Sequence, residues 1–352
     1  MNTNKGVGPE NVNSQLPLQV EDLGEQGLLQ RLQRFSPSEI VGDDAAVIVM
    51  QPGRSPQAEA PALLVVTTDL LVDGVHFSDR TTSPQDVGWR AAAANLSDLA
   101  AMGAAPLGLT VGLAIPGELA VDWLEQVYQG LAECLQQYHT AIAGGDICRS
   151  PVTTLAITAF GQVLPQQVIR RCSAQPGDAV LVTGVHGASR AGLELLLNPA
   201  WGSDLDEAER RNLIQAHQRP QPRLDVLPQL WELDNPLRVA GMDSSDGLAD
   251  AILQICRASH VGGRIERDLI PLPSALTRTT SISPDQALEW ALYGGEDFEL
   301  ILCLDSQIAQ KLVEQLGNGA AIVGQVVEGS EVQLIDKGQS TSLSLIQGFQ
   351  HF

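Results

Sequence analysis

Positive charge is scarce in this chain of 352 residues: 21 lysines and arginines stand against 42 aspartates and glutamates, a net charge of −21 at pH 7. Nucleic acids and anionic membranes bind basic surfaces, so this balance argues against both as partners. Aromatic residues make up only 4% of the chain, whereas hydrophobic residues make up 44%. The length suggests two domains, and we expect their cores to consist mostly of Ala, Leu, Val and Ile.

Paired cysteines and membrane spans are also lacking. The five cysteines, at 134, 148, 172, 256 and 303, include no C-x-x-C pair. An odd number without that spacing favours a reducing compartment over a disulfide framework or a zinc site. There is no signal peptide and no apolar run of about 18 residues. We therefore expect a cytoplasmic protein.

The familiar phosphate-binding sequences are absent too. The chain has no G-x-x-x-x-G-K-[ST] loop, no G-x-G-x-x-G, no H-R-D and D-F-G pair of protein kinases and no G-x-S-x-G elbow. If the ligands are phosphates, such an acidic chain must hold them through cations. Divalent metal is the natural choice.

The stretch 63–77, LLVVTTDLLVDGVHF, is the first sign of such a site. Leu63–Val66 is short, apolar and partly β-branched, which predicts a buried strand. We expect the strand to end at Thr67, Thr68 and Asp69. Hard oxygen ligands at the rim of an α/β sheet suit Mg²⁺ and phosphates.

Six aspartates share one kind of position, beside Gly, Ser or Thr at predicted strand ends or turns, except that Asp98 lies on a predicted helix face. They are Asp44, Asp69, Asp98, Asp146, Asp243 and Asp246. Any one of them alone is most simply a turn or N-cap residue, as we interpret Asp43, Asp73 and Asp178. Clustered carboxylates repel one another by roughly several kcal/mol at low effective dielectric. If the six converge, bound Mg²⁺ is close to required.

Strand and helix patterns alternate along the chain, which predicts an α/β or mixed α+β protein. Ser83 as N-cap, Pro84 at N1 and Asp86 at N3 predict a helix that runs to Met102 and stops at Gly103. A short strand is predicted over 140–143, ending in Gly-Gly-Asp. The predictions for the remaining segments are a disordered tail over 1–20, a surface loop over 51–61 and a polar helical surface insertion over 199–222.

Eight motifs, in order along the chain, resemble the thiamine-monophosphate kinase family, which belongs to an ATP-binding superfamily that includes aminoimidazole ribonucleotide synthetase. They are GDDAAV (42–47), TTDLLVDGVHF (67–77), NLSDLAAMGA (95–104), GGDICRS (144–150), SAQPGD (173–178), SSDGLADAI (244–252), GGEDFEL (294–300) and GFQHF (348–352). Each motif is weak alone, but eight in family order are highly specific.

The resemblance implies a two-domain protomer. After the tail, residues 21–165 would form an ATP- and metal-binding domain that builds a dimeric β-barrel with its twin. Residues 166–352 would form a C-terminal α/β domain that packs against it and completes the active site. ATP and thiamine monophosphate would meet in the cleft between the domains, giving ADP and thiamine diphosphate.

The resemblance also implies residue roles. Asp69, Asp146 and Asp243 would be catalytic, as ligands within a set that holds several Mg²⁺ ions: Asp44, Thr67, Thr68, Asp69, Asp98, Asp146, Asp243 and Asp246. Tyr128, Gly145, Asp146, Arg171 and Ser245 would contact ATP. His76 and Glu296 would face thiamine monophosphate, and Phe349 would stack near its ring, at a position where the family also allows Tyr.

Two alternatives stay open. One is another ATP-dependent enzyme of the superfamily, such as a hydrogenase-maturation protein, aminoimidazole ribonucleotide synthetase or selenophosphate synthetase. The first would end in a reactive cysteine, whereas this sequence ends in His351-Phe352; the last would carry an N-terminal Cys, whereas the first here is Cys134. The other alternative is a non-catalytic thiamine-phosphate-binding protein, against which the full carboxylate set argues.

Overall fold

The structure, a computed structural model, describes residues 27, 31–35, 42–49, 62–234, 237–317 and 319–344. The predicted tail 1–20, the predicted loop 51–61 and Phe349 lie outside these residues. The residues between 42 and 344 belong to one compact unit of the chain, and only these are described below. The domain boundary placed between 165 and 166 stays a prediction.

A five-stranded sheet organises the first half of this unit, in the order β1-β2-β5-β3-β4. Its strands are β1 (Ala46–Val49), β2 (Leu63–Val72), β3 (Ala105–Ile115), β4 (Ile142–Arg149) and β5 (Thr154–Val163). The pairs are antiparallel except β3–β4, which is parallel. Along β2 burial alternates with the pleat: Val65 and Leu71 are buried, whereas Leu70 is 56% exposed.

Two helices, α1 (Pro84–Ala101) and α2 (Val121–Gln137), pack against the buried face of this sheet. The N-cap prediction is confirmed, since Ser83 Oγ accepts from Asp86 N at 3.2 Å. α1 ends just before Gly103, whose φ is +74°. The two helices approach closely through glycine, because a Cβ built at Gly130 would lie 1.7 Å from the carbonyl oxygen of Gln85. The close contact fixes the position of α1.

The second half is built on a seven-stranded sheet in the order β12-β11-β8-β10-β6-β9-β7, in which only β8–β11 is parallel. The strands are β6 (Ala179–Val182), β7 (Ala240–Asp243), β8 (Gly262–Glu266), β9 (Leu300–Leu304), β10 (Ala321–Val327), β11 (Val332–Asp336) and β12 (Gln339–Ser342). Every residue of β9 is buried, and alternate residues face separate cores. The centre of this sheet is therefore covered on both faces.

Seven helices of the described chain accompany this sheet: α3 (Ala188–Leu197), α4 (Glu207–Gln218), α5 (Val226–Leu233), α6 (Leu248–Ser259), α7 (Ser274–Arg278), α8 (Pro284–Tyr293) and α9 (Ser306–Leu316). Residues of α6 and α8 contribute to one core, and residues of α5 and α9 to the other. Within the described ranges, no helix combines the length and apolar character needed to cross a bilayer.

Two strand predictions were too short. β2 continues past Val66 to Val72, so Asp69 lies inside the strand and not at its end. β4 runs through Gly144-Gly145-Asp146, which we had expected to follow a strand over 140–143. Glycine permits this pairing, because a Cβ on Gly145 would lie 2.1 Å from the carbonyl oxygen of Val111 on β3.

Candidate active site

Helix α1 joins the two sheets through two adjacent polar side chains. Ser97 Oγ donates to Asp243 Oδ2 at 2.6 Å, at the end of β7 in the second sheet. Asp98 accepts a hydrogen bond from Thr67 Oγ1 of β2 in the first sheet. Adjacent residues of a helix point in directions about 100° apart, so neighbouring positions reach the two different sheets.

Three carboxylates converge at this junction. One oxygen each of Asp44, Asp98 and Asp243 lies within 4.8 Å of the other two. Asp44 comes from the segment before β1, Asp98 from α1 and Asp243 from the end of β7. The convergence expected from the sequence is therefore found for these three, together with Thr67, which bonds Asp98.

Asp69 adds a fourth carboxylate. On β2 it is two residues from Thr67 and thus on the same face. Burial, and after it the charge of Asp243, raise its pKa to about 6. Asp69 in turn is the largest charge acting on Asp98, whose pKa is raised well above its ordinary value, first by burial.

Mutual repulsion makes the cluster a candidate cation site. The pKa of Asp44 is raised to about 6, because burial outweighs the opposing charge of Arg171 and the charge of Asp243 adds to the effect of burial. Ionising several buried carboxylates close together is unfavourable, and a bound divalent cation offsets their repulsion. Carboxylate and hydroxyl oxygens are the hard donors that Mg²⁺ takes. The donor set of Asp44, Asp69, Asp98 and Asp243, with Thr67 beside it, fits such an ion.

Asp243 is held in place by two serines. It is fully buried, and besides Ser97 it accepts from Ser245 Oγ at 2.7 Å and from Ser245 N at 3.3 Å. Ser245, predicted to contact ATP, therefore lies in the cluster's own hydrogen-bond network. Asp246 follows in the same turn, where it is exposed.

Arg171 borders the cluster. Its Nη2 lies 2.9 Å from Asp44 Oδ1, and its Nη1 donates to Gln254 Oε1 at 2.7 Å. Asp43 is more than the turn residue we predicted, because its two oxygens accept from Arg171 N at 2.9 Å and from Arg170 Nη1 at 2.8 Å. Neighbouring aspartates thus hold neighbouring arginines at the site's edge.

Other predicted site residues are not brought together with these carboxylates. Thr68 points to the opposite face of β2, where its Oγ1 lies 2.9 Å from Thr158 Oγ1; the strand pleat is the reason. Asp146 is exposed on β4, three strand positions from β2 in the sheet. Strands lie about 4.8 Å apart, so roughly 14 Å separates the two strands. Gly145 shares that edge.

Two further predicted residues lie on flanking elements. His76 is half-buried in the turn after β2, and its Nδ1 accepts from Val72 N at 3.0 Å. Tyr128 is half-buried on α2 against the first core, and burial raises its pKa. Asp73 and Gly74 form the turn before His76, as predicted.

Glu296 lies in a constrained loop next to the cluster. Its φ is +60°, and its backbone N donates to Ser245 O at 2.7 Å. Asp297 anchors the same loop to the start of α3 by accepting from Gly187 N at 2.7 Å and Ser189 N at 2.9 Å. Burial raises the pKa of Asp297 to about 7. The loop therefore has a defined position relative to Asp243.

Sequence reasoning missed Arg90 and His217, which both contact Glu296. The only signal for Arg90 was a charge within the alanine-rich run of α1. The polar segment 199–222 was interpreted as a surface insertion, which is wrong for its end: His217 is 3% exposed, and Pro220 O accepts from Trp89 Nε1 at 2.8 Å.

Asp178 is likewise more than a turn residue. It accepts from Gln175 N at 2.8 Å, as a turn residue would, but it is also buried. Both of its oxygens accept from the guanidinium of Arg238 at 2.6 Å. A bidentate pair of this kind anchors the start of β6.

Comparison with known proteins agrees with this two-part architecture. Residues 42–163 match the family model described as AIR synthase related protein, N-terminal domain, and residues 175–337 match the corresponding C-terminal domain. The fold is thus the mixed α/β, two-domain fold of the AIR synthase-related class.

Similar proteins identify the family within the AIR synthase-related class. A thiamine-monophosphate kinase of Synechococcus elongatus is 53% identical over 336 residues, covering 95% of this chain and 98% of the relative. That of Escherichia coli is 37% identical over 317 residues, covering 89% and 91%. The chain belongs to the thiamine-monophosphate kinase family.

Solved structures agree. AaThiL complexed with AMPPCP and TMP aligns with a TM-score of 0.80 at 29% identity, covering 96% of this chain and all of that one. The hydrogenase maturation protein HypE of Escherichia coli aligns with a TM-score of 0.66 at 19% identity, covering 91% and 96%. The second likeness shows a shared fold alone.

Proposed function

We propose that this chain transfers the terminal phosphoryl group of ATP to thiamine monophosphate, giving thiamine diphosphate and ADP. The observation that carries the proposal is the convergence of Asp44, Asp98 and Asp243 in a chain whose relatives are thiamine-monophosphate kinases. A related structure binds AMPPCP, an analogue of ATP, together with TMP. Both substrates are anionic phosphates, and cations are needed to hold them in an acidic protein.

Asp44, Asp69, Asp98 and Asp243 would hold several Mg²⁺ ions, with Thr67 among the ligands. When bound, Mg²⁺ neutralises the phosphates and lets two anions approach. The remaining requirement is alignment of the acceptor oxygen with the terminal phosphoryl group, since in-line transfer needs no covalent intermediate. A phosphate oxygen is already ionised at neutral pH, so no general base is required.

Other residues would orient the substrates. Arg171, at the edge of the cluster, and Ser245 would contact the nucleotide, as would Tyr128 and Gly145. His76 and Glu296 would contact thiamine monophosphate, and so would Phe349. Thr68, Asp146 and Asp246 remain proposed metal ligands, although Thr68 would need an oxygen other than the hydroxyl that is bonded to Thr158.

A second candidate function is that of an ATP-dependent enzyme with a different phosphoryl acceptor, because the hydrogenase maturation protein shares this fold. A substrate panel separates the two functions. Purified protein is incubated with ATP and Mg²⁺ and with thiamine monophosphate, thiamine or aminoimidazole precursors, and the products are resolved by HPLC. We expect thiamine diphosphate from thiamine monophosphate alone; its absence would contradict the proposal.

The N-terminal half, residues 21–165, is proposed to form a dimeric β-barrel with its twin. The sheet face opposite α1 and α2 supports this, because it carries Leu70 at 56% exposure and Thr68 exposed beside it. A half-exposed sheet face is stabilised when a second sheet covers it. Residues 166–352 would form the second domain of each protomer.

Leu70→Glu is expected to weaken this dimer, because it places a charge in the covered face. Light scattering at micromolar concentration should give a dimeric mass for the wild type and a lower mass for the variant. Leu269→Glu is the matched control, since Leu269 is 51% exposed on the second half and its substitution should leave the mass unchanged. A monomeric wild type would remove the proposal.

A further inference from the structure

One guanidinium is buried in the alanine-rich part of α1. Arg90 is 4% exposed. Its Nη2 donates to Glu296 Oε1, and its Nη1 donates to the backbone oxygen of His217. An arginine cannot shed its proton in a protein, so a buried one requires such partners. Arg90 therefore ties together α1, the end of α4 and the loop that holds Glu296.

His217 meets the second oxygen of the same carboxylate. Its Nδ1 lies 3.5 Å from Glu296 Oε2 and 3.2 Å from Ser189 Oγ. Burial, and after it the charge of Arg90, lower the pKa of His217 to about 4, although the charge of Glu296 opposes the shift. The ring is thus neutral at pH 7, and a carboxylate oxygen opposite Nδ1 favours the tautomer that carries its proton there.

The backbone of Glu296 is fixed as well. Its φ of +60° is in the left-handed region, and its N–H is bonded to Ser245 O. Ser245 in turn bonds Asp243 in the carboxylate cluster. Glu296 is therefore held by hydrogen bonds at its backbone N and at Oε1, and His217 Nδ1 lies 3.5 Å from Oε2. Its side chain remains 34% exposed.

That degree of exposure leaves Glu296 open to a ligand on one side. Arg90 and Glu296 together carry no net charge. A net negative charge therefore does not explain how Glu296 would contribute to ligand binding. A restrained carboxylate contributes by its position, since less side-chain entropy is lost when a ligand binds.

We propose that Arg90 and His217 are positioning residues, which lock the carboxylate of Glu296 in one orientation for contact with the acceptor, thiamine monophosphate. The inference rests on the proposed function and extends it to two residues outside the eight motifs that carry the family resemblance. Arg90 and His217 would act through Glu296, so we expect their substitution to affect thiamine monophosphate and not ATP.

A purely structural role is the competing explanation, because Arg90 also links α1 to α4. The two roles differ in their dependence on Glu296. A positioning residue has nothing to position once the carboxylate is removed, whereas a structural link matters with or without it. A double-mutant cycle measures this difference.

The cycle compares the wild type, Arg90→Lys, Glu296→Ala and the double variant by steady-state kinetics, with KM determined separately for each substrate. Lysine keeps the charge but lacks the planar fork that bonds Glu296 and His217 together. Arg90→Lys is expected to raise KM for thiamine monophosphate about tenfold, with KM for ATP nearly unchanged. In the Glu296→Ala background, the same substitution should raise it no further.

Arg219→Lys is the matched control. Arg219 also joins the segment after α4 to the first half, through Asp86 and Glu133, and makes neither of the Glu296 contacts. Its substitution should leave both KM values near those of the wild type. Melting curves of all variants check folding, and if Arg90→Lys does not fold, His217→Asn takes its place under the same criterion.

Equal effects of the Arg90 substitution with and without Glu296 would overturn the inference. The inference would also be overturned if Arg90→Lys raised KM for ATP as much as KM for thiamine monophosphate. A wild type that forms no thiamine diphosphate would instead overturn the proposed function, so the two failures are distinguishable in one experiment.

Discussion

Asp69→Asn is expected to lower kcat about a hundredfold or more, because asparagine keeps the shape of the side chain but removes a charged oxygen from the site that must neutralise the phosphates. The site would lose one of four carboxylates that share the junction of β2, α1 and β7. Steady-state production of thiamine diphosphate at saturating ATP and Mg²⁺ measures the effect.

The same substitution should not destabilise the metal-free protein. Burial and Asp243 raise the pKa of Asp69 to about 6, above its value of 3.8 in the unfolded chain. Because the pKa is higher in the folded state, protonation of Asp69 stabilises the folded protein. This stabilisation is fully present below pH 3.8 and is lost as the pH rises through about 6. At pH 8 with a chelator, Asp69→Asn should therefore melt no lower than the wild type.

Asp73→Asn is the control for both measurements. Asp73 is exposed in the turn after β2, so its substitution removes one charge nearby without touching the cluster. Its turnover should equal that of the wild type. Full activity in Asp69→Asn would remove Asp69 from the active site, whereas a large loss in Asp73→Asn would point to an effect of net charge.

Arg171→Met is expected to destabilise the metal-free protein by ~3 kcal/mol at pH 8, because it leaves Asp44 buried without its cation. The side chains of this pair are largely shielded from solvent, at 14% exposure for Arg171 and 3% for Asp44. Added Mg²⁺ should restore much of the loss, since a bound cation supplies the missing positive charge to Asp44. Denaturant unfolding with chelator and with Mg²⁺ measures the free energy of unfolding in each case.

Arg170→Met provides the comparison. Arg170 is the neighbouring residue, carries the same charge and pairs with Asp43, but its side chain is 34% exposed. Pairs open to solvent contribute about 0–1 kcal/mol, so this variant should stay close to the wild type. Equal losses in the two variants, or a loss in Arg171→Met that Mg²⁺ leaves unchanged, would contradict a cation-binding cluster at Asp44.

Local rules predicted much of the fold. The cap at Ser83 was correct because its geometry depends on only four residues. The aspartates were found because an aspartate beside Gly, Ser or Thr recurs at predicted strand ends and turns. Three of these aspartates converge as expected. The family resemblance supplied the order of the motifs, which no single motif could.

The predicted strand ends were wrong because strand length depends on pairing across the fold. Thr68 was grouped with Thr67 and Asp69, yet the strand continues to Val72 and its pleat sends Thr68 to the other face. Asp146 lies within β4 because glycine lets that strand pair closely with β3. Neither continuation can be read from the composition of the segment alone.

His217 shows the same limit more sharply. Its segment is polar, which suggested a surface position, but α4 ends against α1 and buries the one face that carries His217. Arg90 is buried for the same reason. Their contact with Glu296 joins residues far apart in the sequence and follows only from the folded arrangement.

The fate of the terminal phosphoryl group tests the central claim most directly. Wild-type protein is incubated with Mg²⁺, thiamine monophosphate and ATP labelled in its terminal phosphate, and the label is followed with time. Direct transfer at the carboxylate cluster predicts label in the terminal phosphate of thiamine diphosphate, in amounts equal to the ADP formed. Label recovered only as free phosphate, with no labelled thiamine diphosphate, would contradict it.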